Sequence, residues 1–276
     1  MSLRQWRLIR EPLTGGALNM ARDEALLNAA ARGAAPALRL YGWIQPTLSL
    51  GAHQPASDAD LEACLSRGID LVRRPTGGGA VLHDRELTYA VAGRIGDPPF
   101  PSSVIAIYEG IASALLLGLA QLGIAAEASR GALRGRAPAD CFGAPSAREI
   151  VVRGRKLAGS AQLRRGGAFL QHGSILLALD SELLAALLTP GRAGAPAATP
   201  TSISELLGRE ASWDEVARAI VRGFGEALGA DLAPGALTDE EAEEAERLRA
   251  WKYLDALWTL EGRVRRACPS ASTSCS

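Results

Sequence analysis

Three stretches of the 276-residue chain combine residue types that do chemistry. The first is Arg73-Arg74-Pro75-Thr76-Gly77-Gly78-Gly79-Ala80-Val81-Leu82-His83-Asp84. Gly77, Gly78 and Gly79 strip side chains from a run of backbone, so a ligand can approach the N–H groups there. The adjoining arginines can neutralise an anionic or polar headgroup. His83-Asp84 ends the following strand, where a structural or supporting role is the default. The second is Arg155-Lys156-Leu157-Ala158-Gly159-Ser160-Ala161-Gln162. Alternation predicts Lys156, Ala158, Ser160 and Gln162 on one face and Leu157, Ala161 and Leu163 on the other. A solvated outer face and a groove of small residues with one lysine both fit that pattern. The third, Phe169-Leu170-Gln171-His172-Gly173-Ser174-Ile175-Leu176-Leu177, is a strand whose His-Gly interruption predicts a bulge or a close backbone approach. By itself His172 reads as a satisfied core histidine.

A thiol and an unusual lysine count add to this. Cys141 lies downstream of Arg130, Arg134 and Arg136, and cations nearby lower a thiol pKa from about 8.5 toward neutrality. Cys64 reads as inert helix packing, while Cys268 and Cys275 fall at the C-terminal end. Lys156 and Lys252 are the only lysines, so 28 of the 30 basic residues are arginine. A lysine ammonium is compact and can lose its proton, whereas a guanidinium does not.

Other chemistries lack their obligatory residues. Neither lysine follows a glycine as a P-loop demands, and Leu82 occupies the third glycine place of a dinucleotide fingerprint. No serine satisfies the nucleophile-elbow pattern GxSxG. His53, His83 and His172 are scattered, without zinc-site spacing, so no metal is expected. Thirty basic against thirty acidic residues give no global pull toward nucleic acid or anionic membrane. The sparse cysteines, the absence of an apolar signal region and the polar breaks at Glu109 and Gln121 in the most apolar stretch predict a cytoplasmic protein without a membrane segment.

The elements that must position these residues follow from period and punctuation. Strands are predicted at Trp6–Arg10, Leu38–Trp43, Thr47–Leu50, Leu71–Arg74, Ala80–His83 and Leu87–Val91, with helices at Asn19–Ala31, Asp58–Arg67 and Ser103–Leu122. Gly123–Ser146 shows no period and reads as a long functional or mobile loop. Ile150–Val152, Lys156–Leu163 and Phe169–Leu177 then form an antiparallel meander through turns at Arg153-Gly154 and Arg165-Gly166-Gly167. After a loop at Thr189–Thr201, the rest reads as helical: Ser202–Leu207, Ser212–Leu228 and Asp239–Leu257. Strands in runs with segregated helices argue for an α+β fold, a mixed, largely antiparallel sheet flanked by helices. One domain over residues 1–262 with a disordered tail at 263–276 is the expected organisation.

Taken in order, the Arg73–Asp84 segment, Lys156-Leu-Ala-Gly-Ser-Ala-Gln and Leu170-Gln-His-Gly-Ser-Ile-Leu-Leu resemble the lipoate and octanoate attachment family, which includes lipoate–protein ligases and octanoyltransferases and is related to biotin protein ligases. Leu38–Gln54 looks like its opening, and the resemblance covers about residues 36 to 180. Cys141-Phe142-Gly143-Ala144-Pro145-Ser146, fifteen residues before Lys156, resembles the cysteine-dependent octanoyltransferases of Gram-positive bacteria, as does Glu86-Leu87-Thr88-Tyr89. The resemblance implies the ligase-type catalytic fold. It implies that Cys141 takes an octanoyl or lipoyl chain from acyl carrier protein and passes it to the lysine of a lipoyl domain, such as that of the glycine cleavage H protein. Lys156 would lower the thiol pKa and orient the thioester carbonyl, with no cofactor. Arg74, Thr76, Gly77, Gly78, Gly79, Ala80, His83, Gly159, Ser160, Ala161, Gln162, His172 and Gly173 would bind substrate. The alternative is an ATP-dependent lipoate–protein ligase working through an acyl-adenylate, which Gly79 favours.

Overall fold

The computed structural model describes residues 4–11, 13–129, 149–189 and 200–265. Cys141, most of the Gly123–Ser146 loop, residues 190–199 of the later loop and the end of the chain from 266 lie outside the described residues.

In chain order the elements are β1 (Arg4–Arg10), α1 (Gly16–Ala31), β2 (Ala37–Tyr41), β3 (Thr47–Leu50), α2 (Leu61–Ser66), β4 (Asp70–Arg73), β5 (Val81–His83), β6 (Glu86–Arg94), α3 (Val104–Ala120) and β7 (Glu127–Ala128). There follow β8 (Ile150–Val152), β9 (Arg155–Arg165), β10 (Ala168–Leu176), α4 (Ser181–Ala186), α5 (Ile203–Leu207), α6 (Trp213–Leu228), β11 (Ala230–Gly235), α7 (Asp239–Leu248) and α8 (Ala256–Glu261). Among the described residues the main sheet has eight strands in the order β11-β1-β2-β6-β10-β9-β8-β7. Its β11-β1-β2 edge is parallel, and every pairing from β2 onward is antiparallel. A second sheet, β4-β3-β5, carries the three glycines in the connection from β4 to β5. This is the mixed, largely antiparallel α+β arrangement expected.

The main sheet is apolar on both faces. On one, Leu87, Tyr89, Val91 and Phe169 pack against Ile107, Ile111 and Leu115 of α3 and against Ile220 and Phe224 of α6. On the other, Ala90, Ala92 and Leu170 meet Met20, Leu26 and Leu27 of α1 together with Tyr253 and Trp258. Fully burying one such large side chain contributes about 1.5–3 kcal/mol, so β6 and β10 form a rigid centre. The helices begin where the sequence places caps. Ser103 accepts from the Ala106 N–H, Ser212 from the Glu215 N–H, and Thr238 with Glu241 closes a capping box under an acidic first turn.

The differences from expectation are local. Asp58–Arg67 divides into a 3-10 turn and α2, because the Asp60 side chain caps Ala63 N–H and starts the helix later. The strands β7 and β11 and the helix α4 were not anticipated. β11, Ala-Asp-Leu-Ala-Pro-Gly, has almost no β-forming residues and exists by pairing with β1, at a sheet edge where Pro234 is tolerated. Asp239–Leu257 is not one helix: a π turn at Arg249–Tyr253 and the Asp255 cap separate α7 from α8. No described helix is long and apolar enough to cross a membrane.

Candidate active site

The glycine-rich connection is held by side chains whose donors point inward. Arg74 donates to the carbonyls of Gly77 and Gly79 at 2.8 and 2.6 Å and to the carbonyl and hydroxyl oxygens of Ser49, each at 3.1 Å. These bonds shape the loop. Arg73 turns the other way and donates to the carbonyls of Gly51, Gln54 and Trp258, joining the small sheet to α8. Gly78 has φ of +102°, a left-handed conformation that favours glycine, and its carbonyl packs where any side chain on Gly51 would have to go. Among the described residues, leaving aside its chain neighbours, no atom lies within 4 Å of the position a Cβ on Gly77 would take. The loop is open at Gly77 and Gly78, the latter exposed, while Ala80 is buried in the small sheet's core.

Two hydroxyl–imidazole–carboxylate chains join this region to the main sheet, one from the loop and one from the small sheet. Thr76 Oγ1 lies 2.6 Å from His172 Nε2, and His172 Nδ1 lies 2.8 Å from Asp23 Oδ2. Ser49 Oγ lies 2.8 Å from His83 Nε2, and His83 Nδ1 lies 2.9 Å from Glu86 Oε1. A carboxylate only accepts, so Nδ1 carries the hydrogen in each ring and a neutral ring's Nε2 accepts from the hydroxyl. Trp43 stacks on His83 with centroids 4.0 Å apart and donates to Glu86 Oε1 at 3.1 Å. Burial pushes the Glu86 carboxyl up, but His83 and the hydrogen bonds from Ser174 and Thr88 bring it below the ordinary glutamate value. Asp23 follows the same balance: burial raises it, and His172 with Arg39 lowers it further. His172 thus bridges the loop and the main sheet, and His83 the small sheet and the main sheet.

Lys156 is 2% exposed, and its Nζ donates to Glu149 Oε1 at 2.5 Å. Its orientation corrects the alternation argument. A register shift between Ile150 and Val151 puts Ala158 opposite Ile150 and Lys156 opposite Val151, one β9 residue more than simple pairing allows. The ammonium consequently lies by Gly159, where an added Cβ would sit 2.9 Å from both Cε and Nζ. Ser160 faces the other way, its hydroxyl 2.6 Å from Tyr89 Oη. Gln162 sits with it and donates to Gln171 Oε1 at 3.0 Å. Ala161 pairs with His172, and Gly159 with Ser174. One face of β9 and β10 therefore carries Gly159, Ala161, His172, Ser174 and the Lys156 ammonium. Ser160 and Gln162 belong to the α3–α6 face, so a ligand on the first face reaches Gly159 and Ala161 instead. Gly173 is the predicted close approach without a bulge: a Cβ there would meet the Gly159 carbonyl and Tyr89.

The structure thus brings Lys156, Gly159, Ala161, His172, Thr76 and His83 to one side of the sheet, beneath the Gly77–Gly79 loop; Cys141 is outside the described residues. Sequence reasoning missed the carboxylates Asp23, Glu86 and Glu149. The spacing of Glu86, three residues after His83, was an available signal; Asp23, 149 residues from His172, offered none. Among the described residues no group of three or more His, Cys, Asp or Glu side chains is arranged to hold a metal ion.

Residues 16–225 match the family described as lipoyl protein ligase A/B catalytic domain. The octanoyltransferase LipM of Kyrpidia tusciae is 47% identical over 271 residues, 93% of this chain and 98% of that protein. The octanoyltransferase LipM of Geobacillus kaustophilus is 40% identical over 95% of this chain and 100% of its own. Among solved structures, lipoate-protein ligase A bound with ATP superposes with a TM-score of 0.81 at 27% identity, covering 95% of this chain and 100% of that one. A T. acidophilum protein described as a lipoate protein ligase, with bound lipoic acid, superposes at 0.78 with 28% identity, covering 93% and 99%. The motif face, the sheet order and these near full-length matches converge: the chain belongs to the lipoyl protein ligase A/B catalytic domain family.

Proposed function

We infer that this protein is an octanoyltransferase that moves an octanoyl group from acyl carrier protein, through a thioester on Cys141, to the lysine of a lipoyl domain. The supporting observation is the buried Lys156 ammonium, held by Glu149 beside Gly159 on the face under the glycine-rich loop. The near full-length identity to octanoyltransferases agrees with it. In the first step the Cys141 thiolate attacks the donor carbonyl, a new C–S bond forms, and the carrier thiol leaves with the proton Cys141 gave up. In the second the acceptor amine attacks, the amide C–N bond forms, and the Cys141 sulfur leaves with the proton lost by the amine. A thioester is already activated, so the protein need supply only a nucleophile, orientation and a charge near the carbonyl oxygen. Lys156 supplies that charge. The glycine-rich loop, fixed by Thr76–His172 and Arg74, supplies the wall for the acyl chain. The lipoyl-domain acceptor follows the archaeal ligase solved with its E2 lipoyl domain, whose structure superposes at a TM-score of 0.78 with 25% identity. We assign residues 1–262 to one catalytic domain.

Mixing the protein with octanoyl-acyl carrier protein and measuring its intact mass tests this. One octanoyl group on the wild type, its absence in Cys141→Ala, and transfer to a lipoyl domain without ATP are expected. ATP-dependent use of free octanoate or lipoate, unaffected by Cys141→Ala, would overturn it in favour of a ligase.

A further inference from the structure

Lys156 and Glu149 make a 2.5 Å ion pair with side chains 1% and 7% exposed. We propose that Glu149 is a positioning residue for octanoyl transfer, its carboxylate fixing the Lys156 ammonium beside Gly159 on the reacting face. The role rests on Lys156 acting at the thioester carbonyl, as inferred above.

The backbone at both residues is set before their side chains meet. The Glu149 carbonyl accepts from Ser129 N–H at 2.8 Å, next to the β7–β8 pairing. Lys156 stands opposite Val151 across the β8–β9 hairpin, and its carbonyl accepts from Thr201 N–H at 2.9 Å. What the sheet leaves undetermined is the end of the lysine. An ammonium is a compact charge on a flexible four-carbon stem with three donors and no fork geometry of its own, so a neighbouring acceptor decides where it rests. Glu149 is such an acceptor, at 2.5 Å. The missing Cβ of Gly159 provides the space, since Cε and Nζ each lie 2.9 Å from where it would be. Across the ladder from Gly159 stands Ser174, whose hydroxyl donates to Glu86. The bulge at the start of β9 turns the lysine onto this face, the carboxylate holds it there, and the glycine leaves it room. Taking away the Glu149 charge removes one counter-charge from a buried ammonium, which is costly, and shifts where the lysine end rests.

The test uses the full chain. Glu149→Gln keeps the shape and removes the charge; Glu149→Asp keeps the charge and shortens the side chain. Steady-state transfer from octanoyl-acyl carrier protein to a lipoyl domain is measured for both, with kcat and KM determined separately and thermal melts recorded on the same samples. Glu149→Gln is expected to lower kcat by about 10- to 100-fold, as a misplaced catalytic group does, with donor KM within about twofold. Glu149→Asp should recover part of that loss. Wild-type kcat in Glu149→Gln, a loss confined to KM, a loss that tracks the unfolded fraction, or an Asp variant as impaired as the Gln variant would each overturn the proposal. A wild type that forms no acyl-enzyme, or full activity in Lys156→Ala, would instead remove the thioester chemistry on which it rests.

Discussion

Both lysines of this chain are buried and paired with a glutamate, yet their surroundings differ. Lys252, in the π turn between α7 and α8, donates to Glu24 Oε2 at 2.7 Å and lies over the Trp258 ring, 4.1 Å from its centroid. Glu24 also receives Tyr253 Oη on the same oxygen and Arg165 on the other at 2.9 Å. Three elements distant in sequence, α1, the end of β9 and the C-terminal turn, converge on that carboxylate. Lys156 and Glu149 meet seven residues apart across one hairpin, next to a glycine and under a loop whose Gly77 opens outward. The first pair closes a joint between elements; the second lies on the face we propose for octanoyl transfer. Burial and pairing are common to both lysines, so what distinguishes them is what surrounds the pair.

The largest expected effect separates the two directly. Lys156→Ala should lower transfer by about 100- to 1,000-fold, the usual loss when a charge-stabilising donor is removed. Lys156→Arg should be nearly as damaging, because a planar fork does not fit the space of an ammonium. Glu24→Ala leaves the Lys252 ammonium buried without its partner and should cost about 3–5 kcal/mol of stability, read by urea unfolding, while folded molecules keep their specific activity. Equal loss of specific activity in both variants would erase the distinction.

A smaller effect sharpens it. Gly159→Ala adds a methyl 2.9 Å from Lys156 Cε and Nζ, the end of a flexible side chain that can shift aside, so its effect on stability should be small. Displacing the ammonium should lower kcat by about tenfold or more beyond any effect on folding. An Ala variant with normal kcat would show that the lysine need not occupy that space.

The smallest effect is a change in pH slope. Burial raises the Glu24 carboxyl, but Lys252, Tyr253 and Arg165 outweigh it and hold it below the ordinary value. A carboxylate lowered on folding contributes stability above its unfolded pKa of about 4.3 and loses it as pH falls through the lower folded value. Urea midpoints between pH 6 and pH 3 should therefore fall less steeply for Glu24→Gln than for the wild type. The slope will not vanish, since Asp23, Glu86 and Glu241 are lowered in the same direction. Identical slopes would remove Glu24 from the acid-sensitive set.

Much of this was legible in the sequence where the cause is local. The β8–β9–β10 meander follows from period-two patterning and turns at Arg153-Gly154 and Arg165-Gly166-Gly167, where φ is positive at each residue except Arg165. Helices α3, α6 and α7 start at capping residues visible by type. The glycine run, Lys156 and the His-Gly step identified the strands that line the candidate site, because residue types unusual for ordinary strands stood there together.

What the tertiary structure alone decided depends on distant partners. β11 is a strand because β1 offers it an edge, although Pro234 and Gly235 argue against one. The side of β9 that Lys156 takes is set by a one-residue bulge against β8, which alternation in a single strand does not register. Nothing in the sequence sets Asp23 and Glu149 apart from other carboxylates until folding brings His172 and Lys156 to them. Such charges are stable inside only when paired, and the pairing is a property of the assembled sheet, beyond what the composition of any one segment determines.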